Sequence, residues 1–592
     1  MALLQFINAG VDKTALPTTI HTDHLTMAEK GAKEDLAAAK IKHEEVFEFL
    51  ASASARSNIG LWKPGSGIIH SILFENYTFP GGLLVGTDSH TPNAVGVAML
   101  GIGVGGSDAV DAMAGMPWEL PCPKVLGIRL TGRLNGWASS KDIICKLVGL
   151  VSVSGGKVKI VEFFGPGVEK FGATSMATIG TMSAEIGATS CLFPYNDSMS
   201  RYMRATKRSD IADAASNNLN LLVADEGSAL YYEDVVEINL DGLEPHINGP
   251  YTPDLAHPLS KFGQAVRENS WPENLAASLV GDRAGLKLKT PFFVSTGSEQ
   301  LRATAEDAGF LEKTRKAGAV VLSSSCGPCV GQWNRTDGEE NSMISSFNRN
   351  FTGRHDGNLG THSFVTSPEL ATAFAFSGFL TFNPATDLIP NTNGELFKFQ
   401  HPEADELPLA FNEDEPLYQP PPPLAEGQQV DVVINPSSDR LQKLEPFEAW
   451  KDGDSLDFQI LLKVQGKCTT DHISPAGPWY DYRGHLENIS NNLLTGAENA
   501  FLPDHMPGMA KHAVTGEIDA TPVIARAYKN AGIRYCIIRH NNYGGGSNRE
   551  VTALEPRYLG AVAIMANGFA RIHETNLKKQ GMLPLTFADP ED

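Results

Sequence analysis

A chain of 592 residues is too long for one hydrophobic core, and 42% hydrophobic with 20% charged residues is an ordinary folded composition, so roughly three to five domains are expected. No run of about eighteen apolar residues occurs, which excludes a membrane-spanning helix. A formal charge of −21 repels phosphate backbones at long range and argues against nucleic acid as a partner, while leaving room for a local basic pocket that takes a small polyanion.

Met1–Ile7 is an apolar, core-like segment with neither the apolar core of a signal peptide nor the pattern of a transit peptide. Three acid–histidine groupings follow: Asp23-His24, His70 after a Gly-rich turn, and Asp88-Ser89-His90. A carboxylate beside an imidazole fixes its tautomer and raises its pKa, which suits a proton donor. The spacing predicts a helix over Ala28–Ala51. Gly101–Gly106 matches a dinucleotide-loop pattern, but the acidic residue that should follow is absent and Pro117, Pro121 and Pro123 interrupt the unit, so close packing of a turn on a helix is expected.

β-Branched runs at Lys124–Leu130, Val320–Ser323 and Tyr535–Arg539 read as buried strands, and Glu299–Ala317 as a helix. Such alternation predicts α/β architecture with mostly parallel sheets. Seven cysteines, sparse and odd in number, argue against a disulfide framework and for a reducing compartment. Cys122, Cys145, Cys191, Cys468 and Cys536 read as small buried hydrophobes. Cys326-Gly-Pro-Cys329, by contrast, ends a strand-like run, where α/β folds place ligands, and can grip a metal, two corners of an iron–sulfur cluster, or act as a redox pair. Asn348–Arg354 brings two guanidiniums close together, and Tyr543–Arg549 is a Gly-rich turn that would offer Ser547 and Arg549 to an anion. Residues 401–445, with four consecutive prolines at 420–423, read as an extended linker to a C-terminal domain.

Together with Lys467–Ser474, Trp479–Leu486 and Ala570–Asn576, these segments resemble, in order and nearly end to end, the motifs of the aconitase family of mitochondrial type. The resemblance implies three α/β/α domains (1–123, 124–243, 244–400), the linker 401–445, and a swivel domain at 446–592 that closes over the site. It implies a hydro-lyase interconverting citrate and isocitrate through cis-aconitate, with a 4Fe–4S cluster as Lewis acid. In that reading Ser547 is the base, His24 with Asp23 the acid, and Asp88 and His90 flank the bound water with His70 and Glu185 behind them. Asp471 sits near that water. Ser89, Arg349, Arg354, Arg483, Arg549 and Asn548 contact substrate, Cys326 and Cys329 hold the cluster, and Asn348 touches it.

The family's first cluster cysteine lies in a Ser-Cys-Thr-Asn motif, and here the chain runs from Val280 to Pro291 without it. The resemblance therefore implies a cluster on two of three thiolates, labile or absent. The chain also begins inside the family's first helical motif and ends before its relatives do. A homocitrate or alkylcitrate dehydratase, and a cluster-free protein that binds tricarboxylates or regulates, are the alternatives. A mitochondrial matrix location, with the cytoplasm open, and a monomer follow from kinship alone.

Overall fold

The computed structural model describes the chain except residues 226, 280–287, 334, 336–337, 392, 403–416, 452–456, 547–549 and 590–592, and the side chains of His540 and Asn541. The architecture is α/β. Lys124–Thr131, Lys159–Phe164, Ser190–Leu192 and Asp234–Asn239 form a fully parallel four-stranded sheet. Helices Ser140–Val151 and Ala173–Ser183 pack on it, and Ile128, Ile144, Val161 and Met182 are among the sealed residues of the largest core. Ser139 opens the first of these helices with a capping box to Asp142, satisfying backbone donors that the helix itself cannot.

A seven-stranded sheet follows, ordered Ala256–Pro258, His246–Asn248, Thr361–Val365, Asn341–Ser345, Leu275–Leu279, Phe292–Ser295 and Val320–Leu322. Its last five strands are parallel. Parallel strands deliver their C-terminal ends to one rim, the usual ligand position in such sheets. That rim here comprises Ser346–Arg349, Thr296 and Ser323–Cys329. The C-terminal sheet runs Glu498–Asn499, Gln459–Gln465, Tyr535–Gly545, Ala561–Phe569 and Leu583–Thr586, parallel except at its first strand.

Several expectations change in detail. Ala28–Ala51 holds two helices, Ala32–Lys42 and Glu44–Arg56, which meet at the non-helical His43; the first starts only at Ala32 because the Asp35 carboxylate accepts the N–H groups of Glu29, Lys30 and Gly31 and folds that stretch into a turn. Glu299–Ala317 breaks at Gly309, whose φ of 69° suits glycine. Cys122 is exposed, since it sits between prolines on a surface loop; the other four isolated cysteines are buried. The linker is not a free tether in its described part. Tyr418–Gln419 adds a strand to Gly60–Trp62, and Arg440 reaches the Lys42 carbonyl.

Gly101–Gly106 joins strand Leu100–Gly103 to helix Gly106–Met113, and side chains on Gly105 or Gly106 would collide with Asn576 or Glu550. These glycines allow the C-terminal body to dock closely. Among the described residues no helix is long and apolar enough to cross a membrane.

Glu75, on helix Ile69–Asn76, is buried and accepts the Ser298 hydroxyl at 2.6 Å. Burial pushes its carboxyl up to about 7, against the pull of Ser298 and Arg208. A raised carboxyl favours folding most below its ordinary value of about 4.5, and that contribution is lost as pH rises through about 7. Melting temperatures at pH 5 and pH 8 should therefore fall more for the native chain than for Glu75→Gln; equal falls would contradict this coupling.

Candidate functional site

At the common rim a cavity of ≈ 240 Å³ is lined by His24, His70, Asp88, Ser89 and His90 from the first part of the chain. Cys326, Cys329, Asn348, Arg349 and Arg354 line it from the seven-stranded sheet, and Tyr480 and Arg483 from the C-terminal body. Segments hundreds of residues apart thus converge on one space.

Asp23 is its organising carboxylate. One oxygen receives His24 Nδ1 at 2.8 Å; the other accepts the Ile69 N–H at 3.0 Å and the Cys326 thiol at 3.4 Å. Burial lowers the basicity of His24, but the charge and hydrogen bond of Asp23 outweigh it and lift the imidazole to about 9. Burial also opposes ionisation of Asp23, yet His24 holds its carboxyl well below the usual carboxylate range. An imidazolium at neutral pH results, which can give up a proton.

The other two histidines behave oppositely, correcting the expectation of raised values throughout. Asp88 Oδ1 accepts the His90 N–H at 2.6 Å but lies 3.9 Å from His70 Nδ1 and 3.6 Å from His90 Nδ1, beyond hydrogen-bond contact with either ring. Burial lowers His70, and burial with the Arg349 charge drives His90 well below its ordinary value. Both rings are neutral. His70 Nδ1 and His90 Nε2 are buried without a hydrogen-bond partner among the described residues, the condition of groups that face a ligand.

Arg349, 3% exposed, is gripped before any ligand arrives: its Nε donates to Glu185 at 2.7 Å and its Nη2 to Ser89 at 2.7 Å. Arg354 Nε donates to the Cys329 carbonyl at 3.0 Å, and its Nη1 stands 3.5 Å from Asp471 Oδ2, so Asp471 joins the site across the body boundary. Arg483 lies over the Tyr480 ring at 4.7 Å. Burial pushes the Cys326 thiol well up; it raises Cys329 too, where Arg354 and Arg349 pull the other way. Ser547, Asn548 and Arg549 lie outside the described residues.

Lys141 was not anticipated from the sequence. It is 2% exposed and donates to Asn348 Oδ1 at 2.6 Å and to the Phe347 carbonyl at 3.1 Å, fixing the turn before Arg349. Its only signal was an apolar helix face interrupted by one lysine.

Comparison with known proteins agrees with this geometry. The Aconitase family (aconitate hydratase) matches residues 7–279 and 269–378, and the Aconitase C-terminal domain matches residues 458–590. The whole chain aligns at 52% identity with 79% of a probable mitochondrial aconitate hydratase of Dictyostelium discoideum. It aligns at 53% with 78% of a mitochondrial aconitate hydratase of Emericella nidulans, and at 54% with 78% of a probable one of Caenorhabditis elegans. The chain belongs to the aconitase family.

Proposed function

We propose that this hydro-lyase interconverts citrate and isocitrate through cis-aconitate, and the observation that carries the reading is the convergence of Arg349, Arg354 and Arg483 with the Asp23–His24 couple on one cavity. A tricarboxylate brings three negative charges, and planar guanidiniums match carboxylates in both charge and shape. Glu185 and Ser89 hold the Arg349 guanidinium in a fixed orientation toward the cavity in which substrate is read to bind. Ser89, Arg354 and Arg483 complete the described clamp, with Asn548 and Arg549 as further contacts.

The His24 imidazolium protonates the departing hydroxyl, and Ser547, as an alkoxide, takes the carbon-bound proton and becomes the neutral hydroxyl. Neutral His70 and His90, with Asp88 between them and Glu185 behind, orient the water that leaves and returns; Asp471 approaches it from the C-terminal body. Opposed ionisation states in one cavity are what paired acid and base roles require. The names of the relatives support a mitochondrial compartment, and kinship supports a monomer.

The cofactor implied by the resemblance is a 4Fe–4S cluster, and Cys326 and Cys329, beside Asn348, fit two of its corners. No third thiol reaches the cavity among the described residues. Strand Leu275–Leu279 ends on the same rim, between its neighbours, and would be the route for one. The expected loss of the Ser-Cys-Thr-Asn segment falls just there, on residues 280–287, which lie outside the described residues but contain no cysteine in sequence. Only about a dozen residues, 280–291, join two adjacent parallel strands, near the minimum for such a crossover. The donor set does not fit a three-thiolate cluster, and every step above belongs to the chain's own side chains.

Two outcomes test these readings. After anaerobic reconstitution with iron and sulfide and then desalting, iron and sulfide should each stand well below about four per chain; retention of about four would show that two thiols suffice. Ultraviolet absorbance of the conjugated alkene should report turnover of citrate, and Arg349→Lys should lower kcat/KM on the order of a hundredfold by removing the planar fork. Undiminished turnover in Arg349→Lys would remove the clamp from the mechanism.

A further inference from the structure

A second cavity of ≈ 320 Å³ adjoins the first, sharing Ser89 as a wall. It lies between the four-stranded-sheet layer, which contributes Lys157 and Glu185, and the C-terminal body, which contributes Lys467, Arg539 and Arg571. Four cations line it. Glu185 is the one carboxylate among its described lining residues, and it is already engaged by Arg349.

Arg539 is the anomaly. It leaves strand Tyr535–Gly545 only 5% exposed, and its Nε is buried with no hydrogen-bond partner among the described residues. No ion pair to it forms among those residues, whereas Arg571 is tied to the Gly103 carbonyl at 2.9 Å. Residues 547–549, Ser-Asn-Arg, which come after Gly546 in the chain, bring no carboxylate in sequence. A buried guanidinium without a counter-charge is costly, so proteins keep one where something anionic arrives to pair with it.

We propose that this annex is a second anion site, distinct from the arginine clamp, which takes a compact carboxylate- or phosphate-bearing anion on Arg539 with Lys157, Lys467 and Arg571 around it. The anion bridges the two bodies, because Lys157 stands on one wall and Arg539 on the other. Its occupancy therefore ties the C-terminal body to the four-stranded-sheet layer. Burial, which presses the Arg539 guanidinium below its ordinary value, acts in the same direction, since an anion reverses that pressure.

The test uses the full chain, with inorganic phosphate and malonate as separate probes, by calorimetry and thermal melting in a buffer of low anion content. Saturable binding of at least one probe is expected, with a higher melting temperature. Arg539→Gln should weaken that binding at least about tenfold and Lys157→Gln, an exposed change that spares folding, about threefold, while Arg349→Lys leaves it in place. Arg539→Leu should melt no lower than the native chain when anions are scarce, because it removes an unpaired charge. The proposal fails if neither probe binds, if Arg539→Gln and Lys157→Gln bind like the native chain, or if Arg349→Lys abolishes the binding instead. A phosphate-only or malonate-only response identifies which anion chemistry the annex accepts, and either one supports it.

Discussion

The site depends on the buried ion pair of Arg349 and Glu185, at 2.7 Å and with both side chains 4% exposed. It joins the two sheet layers: Glu185 follows helix Ala173–Ser183 of the four-stranded layer, and Arg349 follows strand Asn341–Ser345 of the seven-stranded sheet. A buried pair of this kind contributes little net stability, but removing one partner costs about 3–5 kcal/mol because the other charge is left stranded. What the pair does supply is orientation. The guanidinium is held at two points, so a carboxylate meets a fixed fork rather than a mobile side chain.

Around that fixed charge, solvent exclusion sorts three chemically similar histidines into two states. His24 keeps a proton because Asp23 touches its ring, whereas His70 and His90 see Asp88 only at 3.9 Å and 3.6 Å, and burial prevails in both. A difference of about 1 Å in carboxylate contact thus separates an acid from neutral hydrogen-bonding groups. Arg349, after burial, depresses His90, so the charge of the cavity's guanidinium and the state of that ring are linked.

Much of this was legible in the sequence, because the functional segments are short, Gly-flanked and rich in ionisable residues. Cys326-Gly-Pro-Cys329 could be placed on a strand end from pattern alone, while Asn348–Arg354 stood out only for its paired guanidiniums, and the parallel sheets put both on one rim. What stayed hidden depends on tertiary distance. Lys141 reads as an ordinary helical lysine until the fold lays it beside Asn348. Arg539 reads as a strand residue, and only the packing of two bodies makes it a buried charge. The ionisation of His70 and His90 could not be read either, because adjacency in sequence to an aspartate says nothing of whether the ring and carboxylate meet. Asp35 delayed one helix start, and His43 and Gly309 divided helices, for local reasons that periodicity does not register.

The architecture also lets the site stay assembled whatever the connection after strand Leu275–Leu279 carries. Each parallel strand delivers its own residues to the rim, and the strands are held by register with their neighbours rather than by the loops beyond them. Leu275–Leu279 still pairs with Asn341–Ser345 on one side and Phe292–Ser295 on the other. The family match divides at the end of that strand, with one piece closing at residue 279 and the next opening at 269. A connection without a cysteine at that point need not move Asn348 and Arg349, which follow strand Asn341–Ser345, or the Cys326–Cys329 turn, which follows Val320–Leu322. The arginine-lined pocket and the cysteine turn are therefore carried by elements independent of that connection, and Cys326 and Cys329 are the two cysteines that line the cavity among the described residues.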